Sequence, residues 1–182
     1  MVGEVPRPVR FGRAPSAWPR GWLDYDEYLQ VHVRCMQRLY DEGVVQSDDL
    51  TFTERKDGRT LVEVELAGER VQCAHGVCVR VLKFMEVRDI AGYPQVRSSF
   101  YQYHAWRPRA AGRMKEQPLV RCDQAHGGTP HVHEYDSDGQ EVAYEEISFD
   151  DVPRLDDFIR GAVAMAQTID EEANSPPPIS TA

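Results

Sequence analysis

No stretch of this chain reaches the 18 or more apolar residues that a membrane-spanning helix requires, and its opening lacks the apolar core of a secretory leader. Cysteine is scarce: Cys35, Cys73, Cys78 and Cys122 are scattered, with no CxxC pair among them. Three sit among apolar or alternating residues, so the chain is expected to be a cytoplasmic protein with reduced thiols and no structural disulfides. The glycines form neither a phosphate loop nor a dinucleotide fingerprint. There is no serine nucleophile elbow, no heptad series and no internal repeat. Net positive charge is also missing. A formal charge of -9 argues against indiscriminate binding to nucleic acid.

That average hides a division. From Arg97 to His133 six Arg or Lys face two acidic residues, an excess of +4. From Glu134 onward thirteen acidic residues face two basic ones, giving -11. The positive window is suited to one or two phosphates, while the acidic region reads first as a solvated surface.

Histidine is where the chain is rich. Five of its six histidines lie between His75 and His133, and three of them, His126, His131 and His133, fall within eight residues. Histidine changes charge near neutral pH unaided, so the cluster points to proton transfer, metal ligation or anion binding.

The 182 residues suit one domain with a real hydrophobic core. Residues 1–21 read as an extended arm, residues 22–172 as a single α+β domain, and residues 173–182 as a disordered Pro-rich tail. Asp24 to Asp41 carries an amphipathic stripe that includes His32, read as a packed histidine, and Gly43 supplies a stop. Strands follow at Leu50 to Glu54, Thr60 to Leu66, Arg70 to Ala74, Val77 to Arg88, Gln95 to Trp106, Pro118 to Cys122, His131 to Tyr135 and Glu141 to Phe149. Their short connections predict antiparallel pairing. Val152 to Glu171 reads as a closing helix, so an antiparallel sheet flanked by an N-terminal and a C-terminal helix is expected.

In a strand, His131 and His133 project to one side about 6.6 Å apart, while Val132 turns to the core. Arg121 and Asp123 are related in the same way around Cys122. If the two strands are neighbours, Arg121, Asp123, His131 and His133 share a patch that His126 approaches from the loop. These parts suit metal-independent RNA cleavage without a cofactor. One histidine would take the 2′-hydroxyl proton, another would protonate the leaving oxygen, and Arg121 would clamp the phosphate. Asp123 would fix a tautomer or orient Arg121. The same atoms could instead ligate zinc or another divalent ion, or simply be hydrogen-bonded surface histidines. Tyr101 and Tyr103 could stack on bases, with Arg107, Arg109, Arg113 and Lys115 as an electrostatic approach. His104 alternates with Phe100 and Trp106 and is either a functional or a packed histidine.

Three motifs in order give a family resemblance: Tyr101-Gln102-Tyr103-His104, Arg121-Cys122-Asp123-Gln124-Ala125-His126 and His131-Val132-His133. Together with the β-rich stretch Leu66 to Glu86, the chain resembles the TumE family of bacterial toxin–antitoxin proteins over about half its length. Cys122 and Gln124 stand where that family has an aromatic residue and an asparagine. The resemblance implies a growth-suppressing toxin that cleaves RNA and is neutralised by a helix-turn-helix antitoxin. It implies His104, Arg121, Asp123, His126, His131 and His133 as the functional set. A noncatalytic RNA- or protein-interaction module, and a metal-binding member of a defence assembly, stand as alternatives. The expected partners are RNA and the antitoxin, with self-association left open and no membrane contact.

Overall fold

The computed structural model describes residues 21–109, 116–124 and 128–174. Nearly all of the expected arm, most of the expected tail, Lys115, Arg113 and His126 lie outside these residues. Strand β1 (Leu23–Asp24) leads directly into helix α1 (Tyr25–Asp41). Asp24 caps the helix by accepting a hydrogen bond from Glu27 N at 3.1 Å, which satisfies one of the amides that a helix start leaves open. Gly43, at φ +70°, adopts the left-handed turn that ends it.

Seven further segments build the sheet in order: β2 (Val45–Ser47), β3 (Thr51–Asp57), β4 (Thr60–Cys73), β5 (Cys78–Ile90), β6 (Tyr93–Pro108), β7 (Glu116–Asp123) and β8 (His131–Tyr135). Strand β9 (Glu141–Glu146) closes it, and helix α2 (Leu155–Asn174) follows. Every pairing among the described residues is antiparallel, along the path β2-β4-β5-β6-β7-β8-β9. Short β3 joins β4, and β1 joins the start of β6. The α+β architecture with one helix before the sheet and one after it is therefore the observed one.

Thr60 to Leu66 and Arg70 to Ala74, which read as two strands, are one 14-residue strand. The break in pattern is a bulge, where pairing with β5 shifts between Gly68 and Val71. Asp49 fills the gap by accepting from Glu69 N at 3.1 Å and Arg70 N at 2.9 Å. A Cβ at position 68 would lie 2.8 Å from Leu50 Cδ2, so glycine permits this close approach. At the other end α2 continues to Asn174, whose Nδ2 donates to Asp170 O at 2.7 Å; two residues assigned to the tail are thus helical.

Both helices cover one face of the sheet. Leu39 and Met36 from α1, and Phe158, Ile159, Ala162 and Ala166 from α2, pack with Val79, Val81, Tyr103, Ala105, Val120, Cys122 and Val132. Because side chains alternate across a strand, this burial fixes which way the intervening residues face.

His32 is packed on this side, with its ring 5.0 Å from Phe52 in an edge-to-face arrangement. Burial, followed by the charge of Lys83, pushes its pKa down to about 4. The unfolded chain then binds more protons between that value and the ordinary histidine value, so stability is complete at neutral pH and is lost on acidification. The contribution is about 2 kcal/mol after discounting for partial exposure. His32→Phe should flatten the fall in melting temperature between pH 7 and pH 5; an unchanged slope would remove His32 as its source.

Candidate functional site

Tyr103, Val120, Cys122 and Val132 point into the helix-covered core, so their strand neighbours are turned to the opposite face. Register then aligns them. Arg121 sits opposite His133 and Asp123 opposite His131 across β7 and β8, and His104 on β6 sits opposite Arg121. On β9, Tyr144 is the partner of His133. Hence His104, Arg121, Asp123, His131 and His133 share one face of three adjacent strands.

Asp123 is the hub, although it is only 2% exposed. His131 Nε2 lies 2.8 Å from Asp123 Oδ1, and Arg121 Nε lies 2.5 Å from Oδ2. The arginine contact is a close charge pair and not an aligned hydrogen bond. Arg121 Nη2 is 3.1 Å from His133 Nε2, and arginine can only donate, so that histidine nitrogen accepts. His133 Nδ1 then donates to Glu141 Oε2 at 2.7 Å. In the same manner His131 Nδ1 is 3.0 Å from the carbonyl oxygen of Thr129, to which it can donate. Both rings are thus oriented through Nδ1 by an oxygen.

Aromatic rings wall the pair. Tyr144 lies 5.5 Å from His131 and 5.1 Å from His133, while Tyr135 stacks beside His133 at 6.5 Å. The histidine rings are 4.9 Å apart and nearly perpendicular. One ligand atom from each of Asp123, His131 and His133 lies within 4.8 Å of the other two. Ligands of a single tetrahedral ion are about 3.4 Å apart, so a small contraction would enclose one.

His104 stands at the edge of this group, with its ring 5.5 Å from Trp106. Burial first, and then the neighbouring Arg80 and Arg121 charges, lower its pKa, so the ring is neutral at pH 7. The sequence pattern placed it with Phe100 and Trp106; register shows that this same side also carries the cluster.

The other expected substrate contacts are elsewhere. Tyr101 and Tyr103 are 3% and 2% exposed in the helix-covered core, where Tyr103 packs 5.4 Å from Phe158. Alternation puts them on the face opposite His104, so stacking on a base beside the cluster is closed to them. Arg107 makes two bonds to the Asp170 carboxylate, at 2.8 and 2.7 Å, and one to Ala166 O at 2.9 Å. It anchors α2 to the sheet, and its hydrogen bonds hold the Asp170 carboxyl below the usual range. Arg109 reaches Ser137 O at 2.9 Å. The basic window therefore does not form one approach surface among the described residues.

Thr129, Glu141, Tyr135 and Tyr144 are participants that the pattern of histidines did not reveal. The signal for them was the β8–β9 hairpin itself. Its turn is fixed by Asp136, whose Oδ1 accepts from Asp138 N and Gln140 N, and by Gly139 at φ +82°. Counting back across that turn brings Glu141 and Tyr144 beside His133.

No family model, curated protein or solved structure matches this chain. Its chemistry therefore rests on the cluster itself.

Proposed function

We propose that this is a mononuclear metal-binding protein, in which Asp123, His131 and His133 hold a divalent transition-metal ion on the face of the sheet opposite α1 and α2. One observation carries the reading. Both imidazoles have Nδ1 directed at an oxygen, Glu141 Oε2 or Thr129 O, which leaves both Nε2 atoms for ligation beside a buried carboxylate. Outer oxygens of this kind fix the tautomer and raise the basicity of metal-bound histidines. Two imidazoles and a carboxylate suit zinc, iron(II) or cobalt(II). Three protein ligands leave at least one coordination position for water or substrate, the arrangement of a reactive site.

Cobalt(II), followed through its visible absorption, provides the test. One equivalent should bind saturably, and His131→Ala and His133→Ala should each abolish the tetrahedral spectrum. Glu141→Gln should weaken binding by about 10- to 100-fold while leaving the ligands in place. If neither cobalt(II) nor zinc binds stoichiometrically at micromolar concentration, the proposal is wrong.

A second reading uses the same residues without a metal. Its support is the guanidinium of Arg121 seated between Asp123 and His133, where it could take nonbridging phosphate oxygens while the histidines exchange protons. This is the RNA-cleaving, antitoxin-controlled toxin that the TumE resemblance implies. RNA cleavage that persists in chelator and disappears in His131→Ala, His133→Ala and Arg121→Ala would favour it over the metal site.

A further inference from the structure

We infer that the metal-loaded site binds an oxyanion, a phosphate or carboxylate group, held between the ion and a row of side chains formed by Arg121, His104 and Arg80. This inference rests on the metal reading above and adds the class of ligand.

The row is built by register. Arg80 pairs with His104, His104 with Arg121, and Arg121 with His133, on four successive strands. Paired residues in neighbouring strands share a face, so the row runs about 14 Å along the sheet from the histidine ligand to Arg80.

At the near end, the Arg121 guanidinium fills the role that the ion would take. It contacts Asp123 and donates to His133 Nε2, the two groups that ligation would claim. A divalent ion and this guanidinium cannot use the same lone pair of His133. Metal binding therefore frees the N–H groups of Arg121 while keeping the arginine next to the ion. Glu141 and Glu146 both lie on β9, across β8 from the row, while the freed guanidinium of Arg121 lies on the β7 side. A guanidinium released beside a cation with an open coordination position draws an anion.

The rest of the row supplies donors for it. Among the described residues His104 makes no hydrogen bond, so its neutral ring has an N–H to offer. The Arg80 guanidinium carbon sits over Trp106, 5.2 Å from the ring centre, and its Nε pairs with Glu69 at 2.8 Å. That pair is exposed on both sides and weakly held, which leaves the outer edge of the guanidinium available. Two planar guanidinium forks flanking an imidazole match the paired oxygens of phosphate or carboxylate.

The experiment titrates inorganic phosphate and, separately, acetate into metal-free and cobalt-loaded protein, with the cobalt spectrum and calorimetry as readouts. Loading should strengthen binding of at least one anion by about tenfold or more, with a spectral shift showing entry beside the ion. Phosphate alone would mark a phosphate ligand, and acetate alone a carboxylate. Arg121→Ala should weaken the anion by about tenfold yet tighten cobalt, because it removes the competing cation. Arg121→Lys, which keeps the charge but loses the fork, and exposed Arg80→Gln provide folded controls that should each weaken the anion. The inference is overturned, with the metal site intact, if cobalt binds but neither anion distinguishes loaded from metal-free protein, or if all three variants match wild type. Failure of cobalt to bind would overturn both.

Discussion

Replacing Asp123 with alanine is expected to destabilise the metal-free protein by about 3 kcal/mol and to abolish metal binding. The carboxylate is almost fully buried and is contacted by Arg121 and His131. Its removal takes the oxygens from beside Arg121 Nε and His131 Nε2 and leaves the guanidinium without its buried counter-charge. Breaking such a pair from one side costs more than the pair contributes, because the remaining charge stays desolvated. Arg121 is partly exposed and can relax toward water, which keeps the loss near the lower end of the usual range. Urea denaturation of Asp123→Ala, Arg121→Ala and the double variant separates the coupling from the individual losses. The double variant should be less damaged than the sum of the single ones. Asp123→Asn keeps the volume and one acceptor oxygen, so it should recover much of the stability without recovering metal affinity. A stability loss below about 1 kcal/mol in Asp123→Ala would show that the carboxylate does not organise the cluster.

The second large effect lies on the other face. Phe158 is fully buried on α2, with its ring 5.4 Å from Tyr103. Phe158→Ala should cost about 3–5 kcal/mol, from lost burial and from the cavity left between helix and sheet. That corresponds to a fall of about 10 °C in melting temperature for a chain of this size. Arg107 still ties the far end of α2 through Asp170 and Ala166, so the helix should remain docked rather than detach. The folded fraction of Phe158→Ala should bind cobalt with unchanged stoichiometry, because β7 and β8 keep their register. Calorimetry and cobalt titration on one sample test both statements. A fall of only a degree or two would mean that α2 contributes little to the core.

Both expectations depend on alternation, and alternation was the legible part of this chain. The pattern around Val132 and Cys122 was enough to place His131 with His133, and Arg121 with Asp123, on one side of each strand; that the two strands are neighbours is given by their register. The two helices were likewise legible, since Gly43 and the apolar stripes act within a few residues of themselves, whereas the Asp24 cap emerged from the structure. Where a local signal was broken, the reading broke with it. Gly68 interrupted the β4 pattern because Asp49, nineteen residues earlier, completes the bulge that makes the strand continuous.

The partners of the candidate site were harder to see. Glu141 and Tyr144 carry no motif and acquire their place from the register of β8 with β9. Tyr101 and Tyr103 have the composition of a base-stacking strand, but α2 covers the face on which they lie. Arg107 has the composition of a phosphate contact, but Asp170 lies within reach across 63 residues of sequence.

By itself, then, the sequence determined an antiparallel α+β domain and a histidine-rich segment turned away from its core. These follow from side-chain period and local capping, which act at short range. The tertiary structure alone decided which oxygens hold the two imidazoles, which arginine enters the cluster and which tyrosines are closed off. Those outcomes depend on strand register and on where the helices dock, and each is fixed by contacts between residues far apart in the chain.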